Sequence, residues 1–220
     1  MSNFLSCAAV LGRSVSEVAE CLIQVFERYR IQVRVLSGPE ADPEKHVTIY
    51  PAGRKKTLIL WPAMCLWDMG VVRHLSTDLD AVLSVIQIYD SEHWDHLLFV
   101  RGEIADQFRN KPLYWMEDES EEPELLRKWA GNAELLAAHL GAPAGTIAPY
   151  LVNAAILEEE DAEEPVRAQP DDEFDLLNEW VFVDFWRRIG IDYPEGDQLP
   201  AKALALPPGA ERRLPKNVDL

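Results

Sequence analysis

The densest run of chemistry-bearing side chains is Asp90-Ser-Glu-His-Trp-Asp-His96. Carboxylates and imidazoles are ligands for divalent metals and the usual general acids and bases. The spacing works against both uses. With a strand beginning at Trp94, side chains alternate between faces, so His93 and Asp95 share one face and His96 points to the other. No second ligand cluster waits elsewhere in the chain. No metal is expected, and the run reads first as a solvated turn at a strand end.

Cys65 lies in Trp61-Pro-Ala-Met-Cys-Leu-Trp67, between a strand pattern and a helix pattern. A thiol at a strand-to-helix turn has its pKa lowered by amide dipoles, as a nucleophile requires. His74, His93 and His96 are the bases within the same part of the chain. The catalytic candidates are therefore Cys65, His93 and His96, weighed against ordinary burial, since free cysteine is among the most buried residue types. His46 and His139 are isolated. Gly141-Ala-Pro-Ala-Gly-Thr146 lacks the lysine of a phosphate loop, and G-x-G-x-x-G, G-x-S-x-G and H-E-x-x-H are absent. No cofactor is expected.

The other notable material is aromatic and acidic. Glu117, Asp118, Glu119, Glu121 and Glu122 follow directly on Tyr114 and Trp115, and a second acid run spans Glu158 to Glu164. Trp180 and Trp186 lie further on. Acidic rims around aromatic anchors bind basic partners, with the charges steering encounter and the rings supplying buried area. The plain alternative is that these rings fill the protein's own core. Arg54-Lys-Lys56 has no interleaved aromatics and reads as a gatekeeper in a hairpin turn.

These residues must be carried by elements the pattern also describes. Phe4 to Leu11 reads as a buried strand, and Ser14-Val-Ser-Glu17 as a capping box. Val15, Val18, Ala19, Leu22, Val25, Phe26 and Tyr29 then follow at helical spacing. Ile31 to Leu36 alternates as a strand. His46–Tyr50 and Thr57–Trp61 form a hairpin pattern, and a second helix falls within Asp68 to Asp80. Val82 to Tyr89 is apolar on both faces apart from Ser84 and Gln87, which places it mid-sheet. Trp94–Val100 and Ile104–Phe108 suit a hairpin turned at Arg101-Gly102. Short helices are expected over Glu124–Ala130, Ala133–Leu140 and Thr146–Leu157. A linker spans Glu158–Glu173. A last helix runs from a cap at Asp171 or Asp172 to Ile189, stopped by Gly190.

The fold expected is α+β: a mixed, mostly antiparallel sheet with two helices packed on it, followed by a small helical C-terminal part. The organisation expected is a sheet domain over 1–112, an acidic helical region over 113–192 packed on it, and an extended tail over 193–220 with five prolines.

The 220 residues carry 38 Asp and Glu against 21 Lys and Arg, a formal net charge of −17. The segment from Glu117 to Asp175 carries the acidic excess. Such a chain repels phosphate backbones and anionic lipid heads, so neither nucleic acid nor membrane is expected as a partner. Acid-rich surfaces also simply keep bacterial-type cytosolic proteins soluble. Three cysteines without metal-type spacing fit a reducing compartment, and no basic leader or transmembrane-length apolar run is evident, so the expectation is cytoplasmic. The functional expectation is a non-catalytic protein that sequesters a basic protein partner, of the bacterial immunity or antitoxin-like kind. The alternative is a small enzyme using Cys65 or the Asp90–His96 turn. Partner-binding residues would be Tyr114, Trp115, Glu117, Asp118, Glu119, Glu121, Glu122, Trp180 and Trp186.

Overall fold

A computed structural model describes residues 4–62, 69–159 and 165–215. Eight strands form one sheet, β1 (Leu5–Leu11), β2 (Arg34–Leu36), β3 (His46–Pro51), β4 (Lys56–Leu60), β5 (Val82–Tyr89), β6 (His93–Val100), β7 (Glu103–Arg109) and β8 (Lys202–Ala205). Their order is β2-β8-β3-β4-β1-β5-β6-β7, and every pairing is antiparallel. The α+β class holds; the sheet is wholly antiparallel rather than mixed.

Strand alternation divides the core in two. Ala8 and Val10 of β1, Leu83 and Val85 of β5, and Leu97 and Phe99 of β6 meet helices α1 (Val15–Arg28) and α2 (Met69–Asp78) on one face. Cys7 and Ala9, Ile86 and Ile88, and Trp94 and Leu98 meet the C-terminal helices on the other. β5 lies between β1 and β6 and is covered on both faces, which is why its sequence is apolar nearly throughout.

The capping box at α1 forms as expected. The Ser14 amide donates to Glu17 Oε2 at 2.8 Å, and the Glu17 amide to Ser14 Oγ at 3.4 Å. Both hairpins are present, with Ile49 opposite Ile59 and Leu97 opposite Gln107. Gly102 turns the second with φ +82°, a backbone conformation that favours glycine.

The C-terminal half departs from the pattern. Helices α3 (Glu122–Lys128) and α4 (Ala133–Leu140) form as expected. The helix expected over Thr146–Leu157 is broken into α5 (Ala144–Ile147), a 3₁₀ turn at Ala148–Tyr150 and α6 (Ala154–Glu159). Pro149 lacks the amide a continuous helix needs, and the chain is bent across it.

The last helix, α7, spans only Val181–Arg188. Asp172 does not cap it. Its carboxylate is buried, accepting from Tyr150 Oη at 2.8 Å, the Gln169 amide at 2.8 Å and Arg188 Nη2 at 2.5 Å. Asp184, also buried, accepts from the Phe174 amide at 2.8 Å. Residues 160–164 of the expected linker and of the second acid run lie outside the described residues; in the part just before α7, these two carboxylates hold the backbone at Gln169 and Phe174 by polar contacts that hydropathy does not reveal. Lys56, read as a turn gatekeeper, instead donates to the carbonyls of Ile189 and Gly190 at 2.7 and 2.8 Å, closing the C-terminus of α7.

The described part of the Pro-rich tail contains strand β8 and a 3₁₀ turn at Ala210–Arg212, and it is not peripheral. β8 pairs with β2 on one side and β3 on the other, so the sheet of residues 1–112 is completed by residues 202–205. Beyond it Ala210 and Leu214 pack into the core beside α1 and α2.

Candidate functional site

At one end of the sheet β1 and β6 begin while β5 and β7 finish. The β5–β6 turn is tight: Tyr89 and His93 face each other across it, with Asp90 and Ser91 at φ 53° and 58°. Side-chain parity puts both rings on one face, stacked with centroids 5.7 Å apart. After β7 the chain turns back, the Tyr114 amide bonding the Lys111 carbonyl, and lays Tyr114 and Trp115 over this pair. Trp115 meets Tyr89 edge-on at 4.6 Å, Tyr114 meets His93 at 4.5 Å, and Phe4 closes on Tyr89 at 5.1 Å. The two contacts on Tyr89 are near-perpendicular, which matches the ring quadrupoles, and Tyr114 is tilted on His93. The cluster is not sealed: Trp115 is 47%, Phe4 44% and Tyr114 38% exposed.

Beneath the rings lies a rigid polar foot. Arg109 grips Asp95 through two hydrogen bonds of 2.8 and 2.6 Å, and its guanidinium lies 3.9 Å from the centre of the Trp129 ring. Burial raises the Asp95 carboxyl, and the two bonds from Arg109 oppose that rise. His93 Nε2 lies 3.6 Å from Asp95 Oδ1, and no partner for Nδ1 occurs among the described residues. Burial, with the cations Arg109 and Lys111, pulls His93 down to about 3. That keeps the stacked ring neutral.

Carboxylates surround the opening. Asp90 and Glu92 sit in the turn, and their charges, after partial burial, raise the Tyr114 phenol. Glu117, Asp118, Glu119, Glu121 and Glu122 follow Trp115 and are all exposed. Among the described residues none of these seven is within ion-pair distance of a cation. The neighbouring cation Lys111 is already held by Glu158 at 2.7 Å.

The aromatic surface continues past Phe4. A cavity of about 570 Å³ is bounded by Phe4, Leu5, Pro43, Glu44, Leu60, Trp61 and Tyr193. Tyr193 also borders a groove of about 630 Å³ beside α7, together with Phe174, Trp180, Glu173, Asp192 and Glu195. Trp180 and Tyr193 are both half-buried, with ring centroids 6.0 Å apart.

The structure thus brings Tyr114 and Trp115 together over Tyr89 and His93, leaves Glu117, Asp118, Glu119, Glu121 and Glu122 exposed on the chain that follows, and sets Trp180 in a groove that meets the Phe4 cavity at Tyr193. Trp186 is a correction. It is fully buried between α7 and the sheet, and its indole Nε1 donates to Ser84 Oγ at 2.9 Å, so it cannot meet a partner. Trp129 is buried as well. Phe4, Tyr89 and Tyr193 were not singled out from sequence, because each reads alone as an ordinary strand-end or loop aromatic.

Of the catalytic candidates, Cys65 lies outside the described residues. His96 points to the opposite face from His93, as alternation requires. Its Nε2 is 2.8 Å from Ser84 Oγ, a separation suited to a base and a nucleophile. Both side chains are fully buried, however, and Trp186 and Phe185 pack over them. Burial alone takes His96 down to about 3. Nothing reaches this pair from solvent. Among the described residues no three His, Cys, Asp or Glu side chains group as a metal site would need, and no helix is long and apolar enough to cross a membrane. No protein-family model, curated protein or solved structure matches the chain.

Proposed function

We propose that the chain is a non-catalytic binding protein that captures a basic protein partner at this strand-end surface, in the manner of a bacterial immunity or antitoxin protein acting in the cytoplasm. The observation that carries the reading is the exposure of Phe4, Tyr114 and Trp115 beside carboxylates that have no cation of their own. Large rings left in water are costly unless a partner covers them, and aromatic anchors dominate binding energy where they are buried. The carboxylates raise the encounter rate with a cationic surface and disfavour acidic competitors. Cys7 and Cys21 are free and buried, as a reducing compartment permits.

The test is retention of basic proteins on the immobilised chain, compared with a Trp115→Ala variant, at low and high salt. A basic protein held at low salt, released at high salt and lost with Trp115→Ala supports the reading. Equal retention by both proteins, or retention of no basic protein, sinks it.

A further inference from the structure

The strand-end rings and the cavity beyond them share a wall. Trp115 touches Tyr89, Tyr89 touches Phe4, and Phe4 and Tyr193 border the same cavity. The path runs across the ends of β6, β5, β1, β4 and β3. Neighbouring strands lie about 4.8 Å apart, so this path is about 20 Å long. Aromatic rings lie along it, and carboxylates stand at both ends: Asp90 and Glu92 near Tyr114, and Glu44 on the cavity wall.

We infer that this path is a trough for one extended, arginine-bearing segment of the partner, about six residues long at 3.3 Å per residue. The inference rests on the proposed capture of a basic protein and specifies what enters. A row of rings crossing successive strand ends matches an extended backbone better than a broad flat face. Arginine fits better than lysine. Its planar guanidinium stacks on rings while its edge donates to a carboxylate, and both exposed rings have acids nearby: Glu44 borders the same cavity as Phe4, and Glu92 lies near Tyr114, which packs against Trp115. The protein already uses this geometry internally, where Arg109 lies on Trp129 while bonding Asp95.

The probe is a dye-labelled, end-blocked hexapeptide alternating arginine and serine, followed by fluorescence anisotropy on the full chain. Its counterparts carry lysine or citrulline, which keeps the shape of arginine and loses the charge. The expected result is binding in the order arginine, lysine, citrulline, weakened at least fivefold by Phe4→Ala and by Trp115→Ala separately. Both are exposed positions, and both variants keep the net charge. Binding indifferent to the two substitutions reveals attraction to bulk negative charge and overturns the trough. If a basic protein is retained in a Trp115-dependent way while the arginine peptide fails to bind, the capture reading stands and the extended-segment inference falls.

Discussion

His93 and His96 are three residues apart and take opposite sides of the sheet, yet burial drives both to the neutral state. An ordinary histidine titrates near 6.5 when unfolded, so the unfolded chain takes up protons that the folded one refuses. Each therefore lowers stability as pH falls from about 6.5 toward 3, and neither matters above that window. Replacing His93 by Phe keeps a ring in the stack and removes one titration. The urea midpoint of His93→Phe should decline less steeply between pH 6.5 and 4 than that of the wild type, and an identical decline would contradict the assignment. Asp106 works in the opposite sense. Among the described residues its Oδ2 has no hydrogen-bond partner, and burial lifts the carboxyl to about 6 against bonds from the Asn132 and Gln107 amides. The folded state holds this proton more tightly than the unfolded one, so stability falls as pH rises from about 4 to 6 and stays lowered above that. Discounted for solvent screening, Asp106→Asn should raise stability by about 1–2 kcal/mol at pH 7.5 and by little at pH 4. A thermal melt at the two pH values reads this directly.

Among the elements, the two ends of the chain's last third are held by few groups. Lys56 reaches from the β3–β4 hairpin to the two carbonyls that finish α7. Lys56→Met keeps the apolar stem and removes both charge-assisted bonds, for an expected loss of about 1–3 kcal/mol. At α2 the Gly70 Cα faces the tail, and a Cβ there would lie 2.3 Å from the Pro215 carbonyl oxygen. Backbone cannot yield as a flexible side chain does. Gly70→Ala should therefore displace the segment around Leu214 from α1 and α2. Faster amide exchange and proteolysis confined to that segment would register the change; unaltered protection of residues 206–215 would refute the contact.

At the scale of the whole molecule, β8 occupies an interior place in the sheet although it comes last in the chain. Among the described residues its neighbour β2 pairs with no other strand. A chain ending at Gly196 should leave β2 detached and the α1 side of the core open, and should show no cooperative unfolding transition by circular dichroism. Retained cooperativity would mean that the preceding residues form an independent domain after all.

How much of this was legible follows from the range of the forces involved. Local rules carried the capping box at Ser14, both hairpins and the double-faced burial of β5, because each depends on residues within a few positions of one another. The same alternation separated His93 from His96 without coordinates. The sequence also determined that acid follows Tyr114 and Trp115. What only tertiary structure decided is which rings meet water. Trp186 and Trp115 are both tryptophans beside charged residues, and one is sealed by Ser84 and the sheet while the other lies open. That difference rests on contacts between residues 102 positions apart in one case, and on the return of the chain after β7 in the other. The same holds for β8 and for Asp172: a short apolar run and a buried carboxylate acquire their roles from distant partners, which composition and periodicity cannot encode.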